Sequence, residues 1–252
     1  MKSNPIELIE RATLAAVSPT AVEELPGWLL GLDAGTVGRA HSAVPLQHTA
    51  PDAAVLNAIE ARYAAHGQAP VFRLPQVADF ESFCVVLAQR GYVSAQPTQV
   101  QIGSVSAMVN CTSGAGVTLT PAPDEAWTHA FQGEGVDPAD AVSRVLLLSR
   151  AKDAVFASVQ ANGRVVAVGV GCFSHGWASV HGMRTAPSHR GQGLARSILG
   201  ALAGAGQAKG IEQVFLQVDA ANTGAQTVYR RAGFTTAWTY AYWRKPLLRA
   251  DA

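Results

Sequence analysis

Two stretches of the chain combine residue types and spacings that could do chemistry. The first is Met183-Arg184-Thr185-Ala-Pro187-Ser-His-Arg190-Gly191-Gln192-Gly193-Leu194-Ala195-Arg196. A strand-like segment here runs into a glycine-rich turn and then directly into a helical pattern. The first N–H groups of a helix have no intrahelical acceptor, and the helix dipole places partial positive charge on them. Gly191 and Gly193 permit a tight turn and leave bare backbone that an anion can approach, while Arg190 and Arg196 add full charge. The chemistry this suits is the cradling of a pyrophosphate. The turn has neither the Gly-x-Gly-x-x-Gly dinucleotide spacing nor the Gly-Lys-Ser/Thr of a P-loop. On its own it is equally an ordinary strand-to-helix turn.

The second stretch is Val218-Asp-Ala-Ala-Asn222-Thr-Gly-Ala225-Gln-Thr-Val-Tyr229-Arg-Arg-Ala-Gly233-Phe234. Asn222 and Tyr229 are seven apart, so they lie near one face of a helix. Asn222 on its own reads as a plain helix cap. Tyr229 on its own reads as an amphipathic core tyrosine, on the stripe of Ala225, Val228 and Ala232.

The elements that must position these residues follow from the pattern around them. Pro123–Gln132 and Pro138–Arg150 read as helices, each opened by an early proline. Ala154–Gln160 and Arg164–Phe173 are apolar runs separated by Ala161-Asn162-Gly163, which predicts a hairpin. Trp177–Thr185 and Val214–Val218 are further strands. Between them, Leu194, Ile198, Ala201, Leu202 and Ala205 form one stripe of a helix from about Gly193 to Ala208. Asn222 opens a short helix that Gly233 closes, and Phe234–Trp243 ends as one or two aromatic-rich strands.

The order and spacing of the two stretches resemble the GCN5-related N-acetyltransferase (GNAT) superfamily. The family's Arg-x-x-Gly-x-Gly/Ala loop is matched by Arg190-Gly191-Gln192-Gly193-Leu194-Ala195. Its Asn-x-x-Ala-x-x-x-Tyr-x-x-x-Gly-Phe motif is matched by Asn222, Ala225, Tyr229, Gly233 and Phe234. The likeness covers roughly residues 117–245. It implies a mixed α/β (α+β) fold in which a central, mixed, twisted sheet is flanked by helices. It also implies an acetyl-CoA-dependent acyltransferase in which a primary amine attacks the acetyl group directly. By the resemblance, the residues from Arg190 to Arg196 hold the pyrophosphate of acetyl-CoA. Backbone groups of Met183, Arg184 and Thr185, with Asn222, meet the pantetheine arm, and Tyr229 stands beside the thioester sulfur as general acid.

Many members of the family carry a basic carboxylate on the strand that Trp177–Thr185 matches, but this segment has none. His181 is the candidate base, two residues from Met183 and so expected on the same strand face. His175 and His189 fall in turns, and the apolar setting of Cys172 predicts an inert thiol. The alternative is a catalytically silent acyl-CoA-binding sensor, which the missing carboxylate keeps open and Tyr229 disfavours.

Composition sets the remaining bounds. Of 252 residues, 48% are hydrophobic and 15% charged, against about 25% charged in typical globular chains, which excludes a disordered chain. The longest apolar run, Val165–Phe173, is far short of the roughly 20 residues of a membrane span. With charges at Glu7, Glu10 and Arg11 the N-terminus does not read as a signal peptide. Cys84, Cys111 and Cys172 have no metal-ligand spacing, and their odd number argues against a disulfide framework. A cytoplasmic protein without metal is expected. Net charge is +1, so neither nucleic acid nor a membrane is expected as partner. A small-molecule or peptide amine is, in a monomer or homodimer. Residues 1–116 carry a net −3 and residues 117–252 a net +4, so an anion belongs in the second half.

The first half repeats the order of the second. Pro45, Leu56 and Arg90-Gly91-Tyr92 each stand 142 residues before Pro187, Ile198 and Ala232-Gly233-Phe234. Between these anchors the pattern predicts helix (Pro51–His66), strand (Pro70–Leu74), helix (Val77–Arg90) and strand (Gln96–Ile102). At the same offset Leu87 stands for Tyr229, Phe80 for Asn222, and His48-Thr-Ala-Pro51 for the glycine turn. With a boundary in the small, polar Thr112–Gly116, the expected organisation is a degenerate GNAT-like accessory domain, residues 1–113, and a catalytic domain, residues 114–252. The accessory half is expected to shape the acceptor pocket. A hairpin from Gly27–Leu30 to Arg39–Ser42 would carry Trp28, Arg39 and His41 there.

Overall fold

The computed structural model describes residues 4–111, 114–133 and 135–246. Thr112 and Ser113, at the expected domain boundary, lie outside the described residues. In chain order the elements of the first half are α1 (Pro5–Val17), β1 (Ala21–Leu25), β2 (Trp28–Leu32), β3 (Ala43–Pro45), α2 (Val55–Ala65), β4 (Phe72–Pro75), α3 (Glu81–Gln89), β5 (Val93–Ser104) and α4 (Val105–Val109). Then come β6 (Thr118–Thr120), α5 (Glu125–Phe131), α6 (Pro138–Ser149), β7 (Ala154–Ala161), β8 (Arg164–Ser174), β9 (Trp177–Thr185), α7 (Leu194–Ala208), β10 (Gln213–Asp219), α8 (Thr223–Arg231) and β11 (Thr235–Arg244).

Among the described residues, eleven strands join one mixed sheet, in the order β1-β2-β3-β4-β11-β5-β10-β9-β8-β7-β6. The α/β architecture with helices flanking a mixed sheet is the one expected. Local signals placed the second half closely. Asn162 and Gly163, at φ 51° and 75°, make the left-handed turn between β7 and β8, as an Asn-Gly pair favours. Helix α7 buries Leu194, Ile198 and Leu202, together with Ser197, Leu199 and Ala203, because it packs against α4 as well as the sheet.

The centre of the sheet is organised about a pseudo-twofold axis. Helices α3 and α8 begin and end 142 residues apart, as do the starts of β5 and β11. Gly91 and Gly233, closing the two helices, have φ 83° and 87°. Strands β5 and β11 pair antiparallel with Val93 opposite Arg244 and Ile102 opposite Thr235. Adding 142 to Val93 gives Thr235, and adding it to Ile102 gives Arg244, so the operation maps one pair onto the other. Tyr240 opposite Thr98 maps onto itself. Each half also contributes a parallel pair, β3 with β4 and β9 with β10. Yet β4 takes β11 as its antiparallel neighbour and β10 takes β5. Each half thus lends its last strand to the other. Helix α1 adds to this exchange by packing on β8 and β9.

Two expectations for the first half are corrected. Trp28–Leu30 pairs with Ala43–Pro45 rather than with residues 39–42. Residues 37–41 instead form a tight turn, with Ala40 N and His41 N donating to Val37 O at 2.9 and 3.2 Å. The helix expected over Val77–Arg90 starts as a single 3₁₀ turn, Ala78–Phe80, before α3.

Candidate functional site

Strands β9 and β10 pair in parallel only from Trp177–Val180 with Gln213–Leu216. Both continue past Val180 and Leu216 without pairing each other. The gap between them belongs to a cavity of about 670 Å³. On one side of the sheet its wall includes Met183, Asn222, Ala225 and Tyr229. On the other it is built by Thr36–Arg39, Phe131, Asp140, Arg144 and Leu148, with Thr98, Gln217 and Tyr240 on the central strands. The cavity therefore passes through the sheet.

A β-bulge in β9 decides which side chain faces which way. Val170 opposes His181 and Val168 opposes Arg184, so Gly182 and Met183 together face Gly169. Directly opposed residues share a sheet face. His181 thus shares the face of Val170, with the cluster of Trp127, Phe131 and Leu148. A Cβ added to Gly169 would lie 2.5 Å from Met183 Sδ and 2.8 Å from Ile198 Cγ2, which puts Met183 on the α7 face. The expectation that His181 and Met183 share a face is overturned: an extra residue shifts the alternation by one. Gly182, at φ 59°, supplies the backbone conformation for it.

His181 is buried at 5% exposure, and its Nε2 lies 2.8 Å from Ser179 Oγ. Burial, and then the charge of Arg39, push its pKa down to about 3, so the imidazole is neutral near pH 7. Ser179 Oγ donates to Cys172 O at 3.3 Å. That assigns the imidazole proton to Nε2 and leaves Nδ1 as an acceptor.

Tyr229 is held by packing against Phe234, ring centroids 6.0 Å apart. Its hydroxyl has no hydrogen-bond partner among the described residues, and the residue lines the cavity. Burial pushes its pKa up to about 12, so it stays protonated. Asn222 caps α8, accepting from Ala225 N at 3.0 Å, and its remaining amide is beside the cavity.

The glycine turn joins the end of β9 to α7. Gly191 and Gly193 have φ 76° and 78°, and a Cβ on Gly191 would meet nothing within 4 Å. The first bonds of α7 run from Arg196 N and Ser197 N to Gly193 O, at 2.9 and 3.2 Å, which leaves the N–H groups of Leu194 and Ala195 without an intrahelical acceptor. Arg190 Nε donates to Thr185 O at 3.4 Å and ties the turn to β9. The cavity wall takes in Met183, Arg184, Asn222, Tyr229 and His181; Thr185 and the residues from Arg190 to Arg196 lie outside that wall. Arg184 lies over the Phe131 ring, 6.0 Å from its centroid.

Of the residues expected from the first half, Arg39 reaches the cavity. Trp28 instead stacks on Phe83, at 5.6 Å, in the first-half core. The His41 nitrogens lie 2.6 and 2.8 Å from Asp33 O and Ala69 O, and whichever nitrogen carries the proton ties the ring to one of these carbonyls beside the turn that presents Arg39. His175 and His189 bond neighbouring serines away from the cavity wall. The Cys172 thiol is buried and pushed up to about 12, which leaves it unreactive. Sequence reasoning missed Gln217, Tyr240 and the Asp140–Arg144 pair. Gln217 was visible as a lone polar residue in an apolar strand; Asp140 and Arg144, at i,i+4, read like any solvated helix face.

Among the described residues no group could hold a metal ion, and no helix is long and apolar enough to cross a membrane. Residues 4–243 match the family model described as "Probable histone acetyltransferase Rv0428c C-terminal". No curated protein matches the chain. Among solved structures, a GCN5-related N-acetyltransferase from Kribbella flavida is 20% identical over 98% of both chains, with a TM-score of 0.71. A functionally unknown conserved protein from Staphylococcus epidermidis is 14% identical, over 92% of this chain and 96% of that one, with a TM-score of 0.69. A tandem GNAT protein from the clavulanic acid biosynthesis pathway is 12% identical over 94% of both, with a TM-score of 0.60. At these identities the likeness shows the fold.

Proposed function

The chain belongs to the family described as "Probable histone acetyltransferase Rv0428c C-terminal" and is an acyltransferase of the GCN5-related N-acetyltransferase type; on that premise we propose that it transfers acetyl from acetyl-CoA to a primary amine within the β9–β10 gap. The observation that carries this reading is the cavity through the sheet, with the unpartnered Tyr229 hydroxyl at one wall and His181 at another. The open space above Gly191 and the free N–H groups of Leu194 and Ala195 fit a pyrophosphate. There, Arg190–Arg196 would hold the diphosphate, and Met183–Thr185 with Asn222 the pantetheine arm.

When bound, acetyl-CoA supplies an acetyl group activated as a thioester. The chain's own residues do the rest. The residue left unpaired in the ladder by the Gly182–Met183 bulge offers an N–H where carbonyl oxygen becomes negative. Tyr229 hydrogen-bonds the departing sulfur and acts as general acid. With its pKa near 3, His181 cannot keep the proton of an ammonium. It accepts a hydrogen bond at Nδ1 and orients the amine, whose ammonium proton is lost directly to cavity water before attack.

We read the first half as a degenerate GNAT-like unit fused in tandem with the catalytic one, the division falling near residues 113 and 114. The 142-residue symmetry of the sheet supports this. Leu87 and Phe80, fully buried in the first-half core, replace the residues corresponding to Tyr229 and Asn222. The test of the activity is calorimetric titration with acetyl-CoA, followed by thiol release against polyamines, amino acids, aminoglycosides and peptides. Release with one class establishes the transferase and its acceptor. Tight binding with silence across the panel would favour the sensor, and absence of binding would overturn the cofactor site.

A further inference from the structure

Resting on that reading, we propose that Arg39 is the anion-binding residue of the acceptor subsite, and that the amine this enzyme acetylates carries a carboxylate or phosphate. Arg39 belongs to the turn between β2 and β3, whose backbone is held by the Val37 O bonds and by the His41 ring, which lies against Asp33 O and Ala69 O. The turn carries the side chain from the first half into the catalytic cavity of the second. Arg39 is half-buried, and among the described residues it makes no ion pair. Its one polar contact is a long one, Nη1 to Gln217 Oε1 at 3.5 Å, and that oxygen already accepts from the Tyr240 hydroxyl at 2.8 Å.

Among the described residues, the acidic side chains of this wall are each hydrogen-bonded within the protein. Asp140 accepts from Thr36 Oγ1 at 2.7 Å and from Arg144 Nε at 2.6 Å. Asp137 and Asp219 accept backbone N–H groups of Asp140 and Ala221. Arg244 is exposed and lies on the Tyr242 ring. No described acidic side chain of the wall pairs with Arg39, and its guanidinium is left facing the cavity. Its charge reaches the neighbouring groups, where it helps to hold His181 neutral and depresses Asp140. An acceptor that displaces water from a half-buried guanidinium must replace those hydrogen bonds. The planar fork of arginine fits the oxygens of a carboxylate or phosphate. A second ammonium on the acceptor would meet repulsion instead.

The test uses the full chain, with thiol release from acetyl-CoA measured on matched acceptors. These are ω-amino acids of increasing length against their amides, phosphoethanolamine against ethanolamine, and spermidine. The expected result is a KM at least about tenfold lower for the anionic member of one pair. The carboxylate and phosphate arms tell the two anions apart. Arg39→Gln should bring the kcat/KM of that acceptor down to the level of its neutral partner, through KM, and Arg39→Lys should recover part of the preference. Equal use of both members by the wild type, preferential use of spermidine, or an equal rise in KM for both members in Arg39→Gln would overturn the proposal. So would acetyl-CoA binding with none of the set consumed. If calorimetry finds no acetyl-CoA binding, the acetyltransferase reading itself fails.

Discussion

Removing one oxygen tests the chemistry assigned to Tyr229. In Tyr229→Phe the ring keeps its contact with Phe234. The lost hydroxyl has no partner among the described residues, so no donor or acceptor is orphaned. Stability should therefore change by less than about 0.5 kcal/mol. The kinetic cost follows from burial, which cuts both ways. A pKa near 12 keeps the phenol protonated at any assay pH, but it also makes it a weak acid. Giving its proton completely to a thiolate whose own acid sits near 8.5 would cost roughly 5 kcal/mol. The hydroxyl therefore works chiefly through a hydrogen bond to the charge growing on sulfur, with transfer following as the bond breaks. A hydrogen bond to a charged group contributes about 1.5–3 kcal/mol, so kcat should fall by about ten- to 150-fold. Because the phenol stays protonated across the assay range, the deficit should be about the same at every pH. The assay is thiol release at saturating acceptor between pH 6.5 and 9.5, with acetyl-CoA affinity by calorimetry and melting temperature as controls. A variant within threefold of wild type at pH 7, or one whose loss comes from weaker acetyl-CoA binding, would refute the assignment.

Acid should destabilise the fold through His181. Its folded pKa, about 3, lies below the unfolded value near 6.5, so the unfolded chain binds the extra proton, and stability present above pH 6.5 is lost as pH falls towards 3. At pH 4.5 that amounts to roughly 3 kcal/mol. Urea unfolding at pH 7.5, 5.5 and 4.5 should show a shallower loss in His181→Asn than in wild type, and parallel curves would contradict the burial argument. His48, pushed down to about 4 by burial and Arg73, adds to the wild-type slope with the same sign. The exchange of β5 and β11 predicts that residues 114–252 expressed alone form no stable monomer, because β11 loses both its neighbours and β10 loses β5. Sedimentation should find aggregate or a dimer, and co-expression with residues 1–113 should restore a one-to-one complex. A cooperatively unfolding monomer of 114–252 would show that the lent strands are dispensable.

What the sequence by itself determined is what neighbouring residues can specify. The Asn162-Gly163 turn, the stripe of α7, the cap at Asn222 and the glycines around the Arg190 turn depend on backbone preferences and on spacing within one element. They were legible in full, and with them the family. The 142-residue offset that relates α3 to α8 was legible too, in Gly91 and Gly233. Tertiary structure decided the rest. No residue of β5 or β11 says which neighbour it will take, because pseudo-equivalent strands present similar edges, and only the assembled sheet selects the exchange. The bulge at Gly182–Met183 exists only against Gly169, so strand alternation misplaced His181 relative to Met183. His181 read as an ordinary histidine until burial made it a neutral acceptor. Arg39, more than 140 positions before His181 in the chain, meets it only because the turn before β3 folds over the other half. Register, burial and long-range approach are set by the partner surface, and a local pattern carries no record of it.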